Sequence, residues 1–436
     1  MIVHQFYDKG LAHASYAILS EGKMAVIDPA RDAKPYYDFA KGHNAQIVAV
    51  IETHLHADFI SSHVEIAKQT GAKIYVSNIA EVEYTHQTFD DGNTIILGKI
   101  TLLAINTPGH SPDSISILLK DEHNQPYAIF TGDTLFAGDV GRPDLRESTI
   151  DTKERLAHVL YYSLHSRILQ LPNDTLVYPA HGPGSLCGKN LGPDLFTTIG
   201  KEKNTSSLLQ LSDENNFVEK LLQDQPFVPK YFSYDVLLNR KGAESAAVTI
   251  PQLQAAYVVE ANDLVIDVRP KEQFKAGHVK GVINIPVDKN FETWLGTIVA
   301  PDEKFYIMGS TIVEAEEAVY KASKIGYETS VQGIAEVKSS DEKSISIDLE
   351  DFKNHKDKYT IIDIRNSYEI PAKIFREAIL IPLPELRDRV EEIPVTKPVV
   401  VHCAGGTRSA IGASILQKYI TAPVFDLGEA IKNFVN

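Results

Sequence analysis

The chain has 436 residues, of which 43% are hydrophobic and 23% are charged, and its formal net charge is −15. A chain of this length forms roughly two or three domains, and its acidic balance disfavours non-specific binding to nucleic acid or anionic membranes. No apolar run of about 20 residues predicts a bilayer span, no export signal begins the sequence, and two cysteines make no disulfide framework. We therefore expect a protein of the reducing cytoplasm.

Short apolar strands alternate with helical patterns in the first part of the chain, which predicts an α/β domain over residues 1–245. Residues 45–51 predict a buried strand, and residues 62–70 predict a helix that Gly71 ends. Further strands are predicted at residues 73–76, 100–105, 115–119, 127–130 and 175–178. Histidine and aspartate residues follow several of these strands, in loops that a rigid sheet can hold in place.

Four strand-end loops carry residue types that bind metals. They contain, in chain order, His54, His56 and Asp58, then His110, then Asp133, and finally His181. Imidazole and carboxylate together suit zinc, iron or manganese, and an incomplete ligand shell leaves room for substrate. A single histidine is usually structural, but four such loops in this order predict a metal site.

One of the two cysteines lies beside the last of these loops. Cys187 follows His181 by six residues, within a glycine-rich segment. A thiolate there can take up or relay a sulfane sulfur, whereas the alternative is a small buried thiol that packs the loop. Because the segment offers little core to pack, we favour a functional thiol.

The C-terminal part contains an internal repeat. Residues 264–269 match residues 360–365, and residues 283–286 match residues 379–382, both at an offset of 96 positions. Each copy alternates strands and helices, which predicts a parallel sheet with helices on both faces. We predict two domains, over residues 246–338 and 345–436, joined by a polar linker.

The second copy carries the other cysteine at the end of the apolar strand 398–402. Cys403 opens a six-residue loop that ends at Arg408 and runs into a predicted helix over residues 409–419. Loop N–H groups, the positive end of the helix and the Arg408 guanidinium all favour thiolate over thiol. The first copy has Gly309 at the matching position, so we predict that it is an inactive structural or docking domain.

The metal-ligand loops resemble the metallo-β-lactamase superfamily, whose signature is His-x-His-x-Asp-His. The resemblance implies an αββα sandwich for the first domain. This chain has Phe59 where the signature has its third histidine, so we expect no complete second metal site. His63, four residues further on, could replace the missing histidine, but we expect it at a helix surface instead.

A single-metal site is similar to the persulfide dioxygenase branch of this superfamily. The resemblance implies a mononuclear Fe(II) held by His54, His110 and Asp133, with zinc as an adventitious metal. It also implies that three further residues orient the ligands and tune the metal, namely His56, Asp58 and His181. Stabilisation of their loops is the alternative for these three residues and stays open. Residues 138–145 resemble the same branch, and Arg142 either contacts a carboxylate or phosphate of a thiol carrier or pairs with Asp144 at the surface.

The second repeat copy resembles rhodanese, a sulfurtransferase family in which a cysteine accepts a sulfane sulfur. The resemblance rests on residues 362–365, 381–382 and 403–408. It implies Cys403 as the nucleophile beside Arg408, with Gly405, Gly406 and Thr407 as an anion cradle. Phosphatases with a similar loop are the alternative, but the sequence identifies no general acid for them.

Nearly the whole chain is similar to fused persulfide dioxygenase–rhodanese enzymes of bacteria. The resemblance implies oxidation of a low-molecular-weight thiol persulfide by O₂ to sulfite, followed by sulfur transfer to sulfite to give thiosulfate. One alternative is a zinc thioester hydrolase of the glyoxalase II type fused to a sulfurtransferase, and another is a rhodanese that works alone. The thiol carrier stays open, and the inactive copy offers a surface for a homo-oligomer.

Overall fold

The computed structural model describes residues 1–250, 263–288, 290–338, 340–370 and 373–435. It forms two compact units, Met1–Thr249 with Ser323–Gly326, and Ile250–Ala322 with Tyr327–Asn436. Part of the predicted linker, Ser339, and the start of the first repeat copy lie outside the described residues. Every helix within the described ranges is too short or too polar to cross a bilayer.

The first unit contains two six-stranded sheets whose spatial order follows the chain. The strands of the first sheet are β1 (Ile2–Asp8), β2 (His13–Ser20), β3 (Lys23–Ile27), β4 (Gln46–Ile51), β5 (Lys73–Val76) and β6 (Gln87–Thr88). Those of the second sheet are β7 (Thr94–Leu97), β8 (Ile100–Asn106), β9 (Ile115–Lys120), β10 (Pro126–Gly132), β11 (Leu176–Pro179) and β12 (Thr197–Thr198).

The two sheets pack face to face through apolar side chains that include Tyr16, Ile51, Leu119 and Phe130. Helices with an apolar stripe cover the outer faces of the two sheets. The helices of this unit are α1 (Lys34–Gly42), α2 (His63–Thr70), α3 (Lys153–Ser166), α4 (Ile199–Thr205), α5 (Glu214–Leu222), α6 (Phe232–Lys241) and α7 (Ala246–Thr249). The α1 and α2 helices pack on the first sheet, and α3 and α5 on the second. This confirms the αββα sandwich.

The second unit contains two four-stranded parallel sheets, in the orders β14-β13-β15-β16 and β18-β17-β19-β20. The first copy comprises β13 (Val265–Asp267), α8 (Lys271–Ala276), β14 (Ile283–Asn284), α9 (Phe291–Ile298), β15 (Phe305–Gly309), α10 (Ile312–Ser323) and β16 (Val331–Glu336). The second comprises α11 (Leu349–Asn354), β17 (Thr360–Asp363), β18 (Ile379–Leu380), β19 (Val399–His402), α12 (Thr407–Tyr419) and β20 (Val424–Asp426). The predicted parallel sheets are confirmed.

Strand register makes Gly309 and Cys403 equivalent positions. Asp267 pairs with Met308 in the first copy, and Asp363 pairs with His402 in the second. Gly309, the last residue of β15, follows Met308, and Cys403 follows His402, so the two occupy matching positions. A Cβ added at Gly309 would lie 2.9 Å from the backbone oxygen of Thr311, so the first copy is built without room for a side chain there.

Candidate metal centre and thiol loop

Three strand-end loops of the first unit bring His54, His110 and Asp133 together. The Nε2 atoms of His54 and His110 lie 3.8 Å and 3.4 Å from the Asp133 Oδ2 atom, and all three side chains are buried. One ligand atom from each residue lies within 4.8 Å of the others. Oδ2 accepts no hydrogen bond from any described residue. A buried, unsatisfied carboxylate oxygen that faces two imidazoles fits a metal ion.

Hydrogen bonds on the far side of each imidazole aim its Nε2 atom at this point. The His110 Nδ1 atom lies 2.9 Å from the backbone oxygen of Arg142, which can only accept, so Nδ1 carries the proton. The Thr53 hydroxyl donates to Asp28 at 2.9 Å and lies 3.0 Å from Nδ1 of His54, which makes that nitrogen a donor as well. Burial lowers the pKa of both imidazoles, so both are neutral and ready to bind a metal.

Asp133, His181 and Asp58 form a chain of polar contacts that orients the Asp133 carboxylate. The His181 Nδ1 atom donates to Asp133 Oδ1 at 2.7 Å, and its Nε2 atom lies 2.8 Å from Asp58 Oδ2. Burial opposes charge on His181, but the two carboxylates outweigh it and raise the pKa of His181 well above its usual range. Burial also opposes charge on Asp133, but His181 lowers the pKa of that carboxyl well below its usual range. The predicted orienting residues Asp58 and His181 therefore lie behind Asp133.

His56 belongs to a separate buried cluster with two carboxylates that sequence reasoning missed. Its Nε2 atom lies 3.1 Å from Asp28 Oδ1 and 3.7 Å from Glu52 Oε2. Burial raises the pKa of Glu52 to about 8. For His56, burial opposes charge, but Asp28 and Glu52 raise its pKa to about 9. Asp28 and Glu52 each follow an apolar strand directly, as Asp133 does, and this pattern could have identified them.

The expectation for His63 is wrong. His63 is the first residue of α2, but it is fully buried, with its Nδ1 atom 3.5 Å from Glu52 Oε1 and its ring against Tyr84. It lies inside because the start of α2 packs over the end of β4. A phenylalanine side chain has no atom that binds a metal, and the Phe59 ring packs 4.4 Å from that of His56.

Cys187 lies beside the metal centre. Its Sγ atom and one ligand atom each of Asp58 and His181 lie within 4.8 Å of one another. Burial raises the pKa of the Cys187 thiol well above its usual range, and the charges of Asp58 and Asp133 raise it further. The fold therefore places the Cys187 thiol next to Asp58 and His181, in surroundings that favour the protonated form.

The Arg142 guanidinium is held by groups of the protein itself. The side chain is buried, and it donates two hydrogen bonds to Asp144, at 2.7 Å and 2.6 Å. Its remaining donors meet the backbone oxygens of Leu186, Pro226 and Phe227. Of the two alternatives, the pair with Asp144 is observed, although in the interior rather than at the surface. The expected contact with a thiol carrier is corrected, because all five guanidinium N–H groups are occupied.

Gly141 lies where the backbone packs closely around the candidate metal centre. A Cβ added there would lie 1.9 Å from the backbone oxygen of Asp133 and 2.9 Å from the Cβ of His110. We expect Gly141→Ala to displace both ligands and to lower metal affinity by about 10- to 100-fold. Metal titration of the purified variant measures this. Gly42→Ala is the matched control, since a Cβ at Gly42 meets nothing within 4 Å, and equal affinities for the two variants would contradict the prediction.

The thiol loop of the second unit joins β19 to α12. The Gly406 N–H donates to the Sγ atom of Cys403 at 3.1 Å. Gly406 has a φ of +95°, and a Cβ there would lie 2.8 Å from the backbone nitrogen of Glu429, so the loop requires glycine at this position. The helix α12 begins at Thr407, and its positive end faces the loop. The side of the loop at Gly405 and Thr407 is exposed.

The Arg408 guanidinium, whose charge was expected to act on the Cys403 thiol, pairs with Glu369. Arg408 donates from Nη2 to Glu369 Oε2 at 2.7 Å and from Nη1 to the other carboxylate oxygen. Burial opposes ionisation of Glu369, but these bonds outweigh it and lower the pKa of Glu369. The Arg408 guanidinium is therefore held in place by a carboxylate that sequence reasoning did not identify.

The two units match two different families of known proteins. Residues 8–181 match the model of the metallo-β-lactamase superfamily, and residues 252–335 and 348–436 match that of the rhodanese-like domain. The crystal structure titled metallo-β-lactamase from Staphylococcus aureus is 34% identical, with a TM-score of 0.70, and the match covers 77% of this chain and 99% of that one.

Two curated enzymes are among the proteins that this chain is similar to. The cytoplasmic hydroxyacylglutathione hydrolase of Arabidopsis thaliana is 32% identical over 171 residues, which are 38% of this chain and 62% of the hydrolase. Human mitochondrial persulfide dioxygenase ETHE1 is 31% identical over 164 residues, which are 37% of this chain and 60% of that enzyme. The chain thus spans less than two thirds of the length of each of these two relatives.

Proposed function

Because this chain belongs to the metallo-β-lactamase superfamily and carries rhodanese-like domains after that fold, we propose that it is a persulfide dioxygenase coupled to a sulfurtransferase. The observation that carries the proposal is the convergence of His54, His110 and Asp133 on one point. Two imidazoles and one carboxylate with open positions are the ligand set of non-haem Fe(II) oxygenases. The similarity to human persulfide dioxygenase ETHE1 supports the same assignment.

The substrates proposed for the metal centre are a low-molecular-weight thiol persulfide and O₂. The balanced reaction is R–S–SH + O₂ + H₂O → R–SH + SO₃²⁻ + 2H⁺. When bound, Fe(II) supplies the redox chemistry that O₂ requires. The protein holds the metal through His54, His110 and Asp133, and His181 fixes the orientation of Asp133. The Cys187 thiol lies where it can contact a sulfur substrate.

The second step is proposed for Cys403. A second thiol persulfide first passes its outer sulfur to this cysteine: R–S–SH + Cys403–SH → R–SH + Cys403–S–SH. The Cys403 persulfide then transfers that sulfur to sulfite, so that one S–S bond breaks and the S–S bond of thiosulfate forms: Cys403–S–SH + SO₃²⁻ → Cys403–SH + S₂O₃²⁻. The Gly406 N–H stabilises charge on Sγ, and the start of α12 does the same. The exposed cradle at Gly405 and Thr407, beside Arg408, receives the anion. Joining both activities in one chain raises the local concentration of sulfite at Cys403.

Oxygen consumption tests the first step. Full-length protein is loaded anaerobically with Fe(II), and a thiol persulfide is added in an oxygen-electrode cell. We expect rapid O₂ uptake with the persulfide and none with the parent thiol. No uptake from any of several carriers, at a verified iron load, would contradict the dioxygenase.

Thioester hydrolysis is the second candidate activity of the metal centre. The observation in its favour is the 32% identity to a hydroxyacylglutathione hydrolase. It requires Zn(II)-loaded protein to cleave a glutathione thioester with a rate that depends on His110. Hydrolysis by the zinc form together with absent O₂ uptake by the iron form would select this candidate and leave only the sulfurtransferase half of the proposal.

A further inference from the structure

The second unit contains a cavity of about 230 Å³ where its two repeat copies meet. The first copy contributes residues that follow β13, β14 and β15, so the cavity lies at the carboxyl ends of these parallel strands. The second copy contributes Thr407, the first residue of α12. A cavity of this size has room for a small organic molecule.

Contacts along α12 fix the position of Thr407 relative to the first copy. Near the end of this helix, Lys418 donates to the backbone oxygen of Gly281 at 2.7 Å. Further toward the start of the helix, the Ser414 hydroxyl oxygen accepts from the Asn284 N–H at 2.9 Å. The helix therefore runs in the direction opposite to β14, and its first residue lies beyond the carboxyl end of that strand.

The cavity is close to the thiol of the second copy. The Gly406 nitrogen lies 3.1 Å from the Cys403 Sγ atom, and the next Cα along the chain is about 3.8 Å from the Gly406 Cα. The Thr407 Cα is therefore within about 9 Å of Sγ. A ligand of one to three amino-acid residues, each of which spans at most about 3.6 Å, can occupy the cavity and bring a sulfur atom to Sγ.

The first copy has a carboxylate where the thiol loop has its guanidinium. Arg408 is the fifth residue after Cys403, and Glu314 is the fifth residue after Gly309. Glu314 lines the cavity, and its Oε2 atom accepts from the Ser310 N–H at 2.6 Å. No described residue donates a hydrogen bond to Glu314 Oε1. This position therefore suits an ammonium group of a ligand, and it repels sulfite.

Lys271 supplies the opposite charge in the same cavity. Its Nζ atom lies 3.8 Å from Glu272 Oε1, which is longer than a hydrogen bond, so its N–H donors are available to a carboxylate of the ligand. Glu272 and Asp288 add two further carboxylates to the lining. The cavity is therefore acidic overall, which disfavours a carrier with several phosphates, while its two signs of charge complement an α-amino acid.

We propose that this cavity binds the α-amino-acid group of the thiol persulfide that delivers sulfur to Cys403. The ammonium group contacts Glu314, the carboxylate contacts Lys271, and the outer sulfur reaches Sγ. The S–S bond of the carrier breaks, that of the Cys403 persulfide forms, and the Cys403 proton ends on the released thiol: R–S–SH + Cys403–SH → R–SH + Cys403–S–SH. The inference rests on the proposed sulfurtransferase step and extends it by naming the class of carrier.

Three donors that differ by one charged group test the inference. Anaerobic sulfur transfer to sulfite by the full-length protein is measured with the persulfides of cysteine, of cysteamine, which lacks the carboxylate, and of 3-mercaptopropionate, which lacks the ammonium group. We expect kcat/KM for cysteine persulfide to exceed that for each of the other two by about 10-fold. Because O₂ is absent, the result does not depend on the metal centre.

Two variants assign each charged group to its residue. In Glu314→Gln, we expect the preference for cysteine over 3-mercaptopropionate persulfide to fall by about 10-fold, with the preference over cysteamine persulfide unchanged. In Lys271→Gln, we expect the reverse. Glu336→Gln is the matched control and should keep both preferences, because Glu336 accepts from the Ile312 N–H in the same loop at 3.1 Å but does not line the cavity.

Each variant is decisive alone, so the test survives if one of them does not fold. Equal kcat/KM values for the three donors in the native protein would overturn the inference. A folded variant that slows all donors alike, and so leaves both preferences unchanged, would do the same. Transfer from thiosulfate to cyanide by the native protein separates the failures. If it is present while the donors are equivalent, only the cavity assignment fails, and if it is absent together with all persulfide transfer, the proposed sulfurtransferase fails as well.

Discussion

Replacing Asp133 by Asn is expected to remove the metal and, with it, O₂ uptake. The amide keeps the shape of the side chain but loses the charge of Oδ2, the one atom that faces both His54 and His110. We expect bound metal to fall well below one ion per chain and persulfide-dependent O₂ uptake to fall by about 100-fold or more. Metal analysis and the oxygen electrode measure the two effects.

The Asp133→Asn variant carries its own internal control. Cys403 belongs to a different folding unit, so sulfur transfer from thiosulfate to a thiol acceptor should stay within about twofold of the native rate. Glu202→Gln, which alters a buried carboxylate elsewhere in the first unit, should retain the metal. A variant with a full complement of metal and native O₂ uptake would show that Asp133 is not a ligand.

Replacing Cys403 by Ser is expected to change the product and not the oxygen consumption. A serine hydroxyl is not ionised at neutral pH and does not form a persulfide. We expect thiosulfate formation to fall by about 100-fold or more, with sulfite accumulating in its place at one per O₂ consumed. Ion chromatography of the reaction mixture separates the two anions.

Ser310→Ala is the matched control for Cys403→Ser, since Ser310 lies in the corresponding loop of the first copy, directly after Gly309. We expect it to leave the yield of thiosulfate unchanged. An unchanged thiosulfate yield from Cys403→Ser would disprove the coupling. So would a loss of O₂ uptake as large as that of Asp133→Asn, because it would place Cys403 in the oxygenation step.

The candidate metal-ligand loops and the thiol loop could be predicted because each is a local pattern. Cys403 follows an apolar strand and precedes a helix, and the observed β19 and α12 have these positions. The repeat located Gly309 as the counterpart of Cys403 before any register was known. Likewise, each predicted metal-ligand loop follows a run of apolar residues that needs only its own neighbours to be recognised as a strand.

The roles of individual side chains in these loops depend on residues that are distant in the sequence. Asp28 lies 28 positions before His56, and Arg142 meets Pro226 and Phe227, so no local pattern reveals these contacts. The start of α2 looks like a helix surface, yet packing over β4 buries His63.

The sequence alone therefore determined the alternation of strands and helices in the three predicted domains and the residue types that suit a metal. It also determined that only the second repeat copy has a cysteine loop. All three follow from strand periodicity and loop composition, which are local. Only the tertiary structure decided that His56 turns to Asp28 and Glu52, that Glu369 pairs with Arg408, and that Arg142 is internal. The physical reason is that a buried charge takes whichever partner the packed chain brings within hydrogen-bond distance.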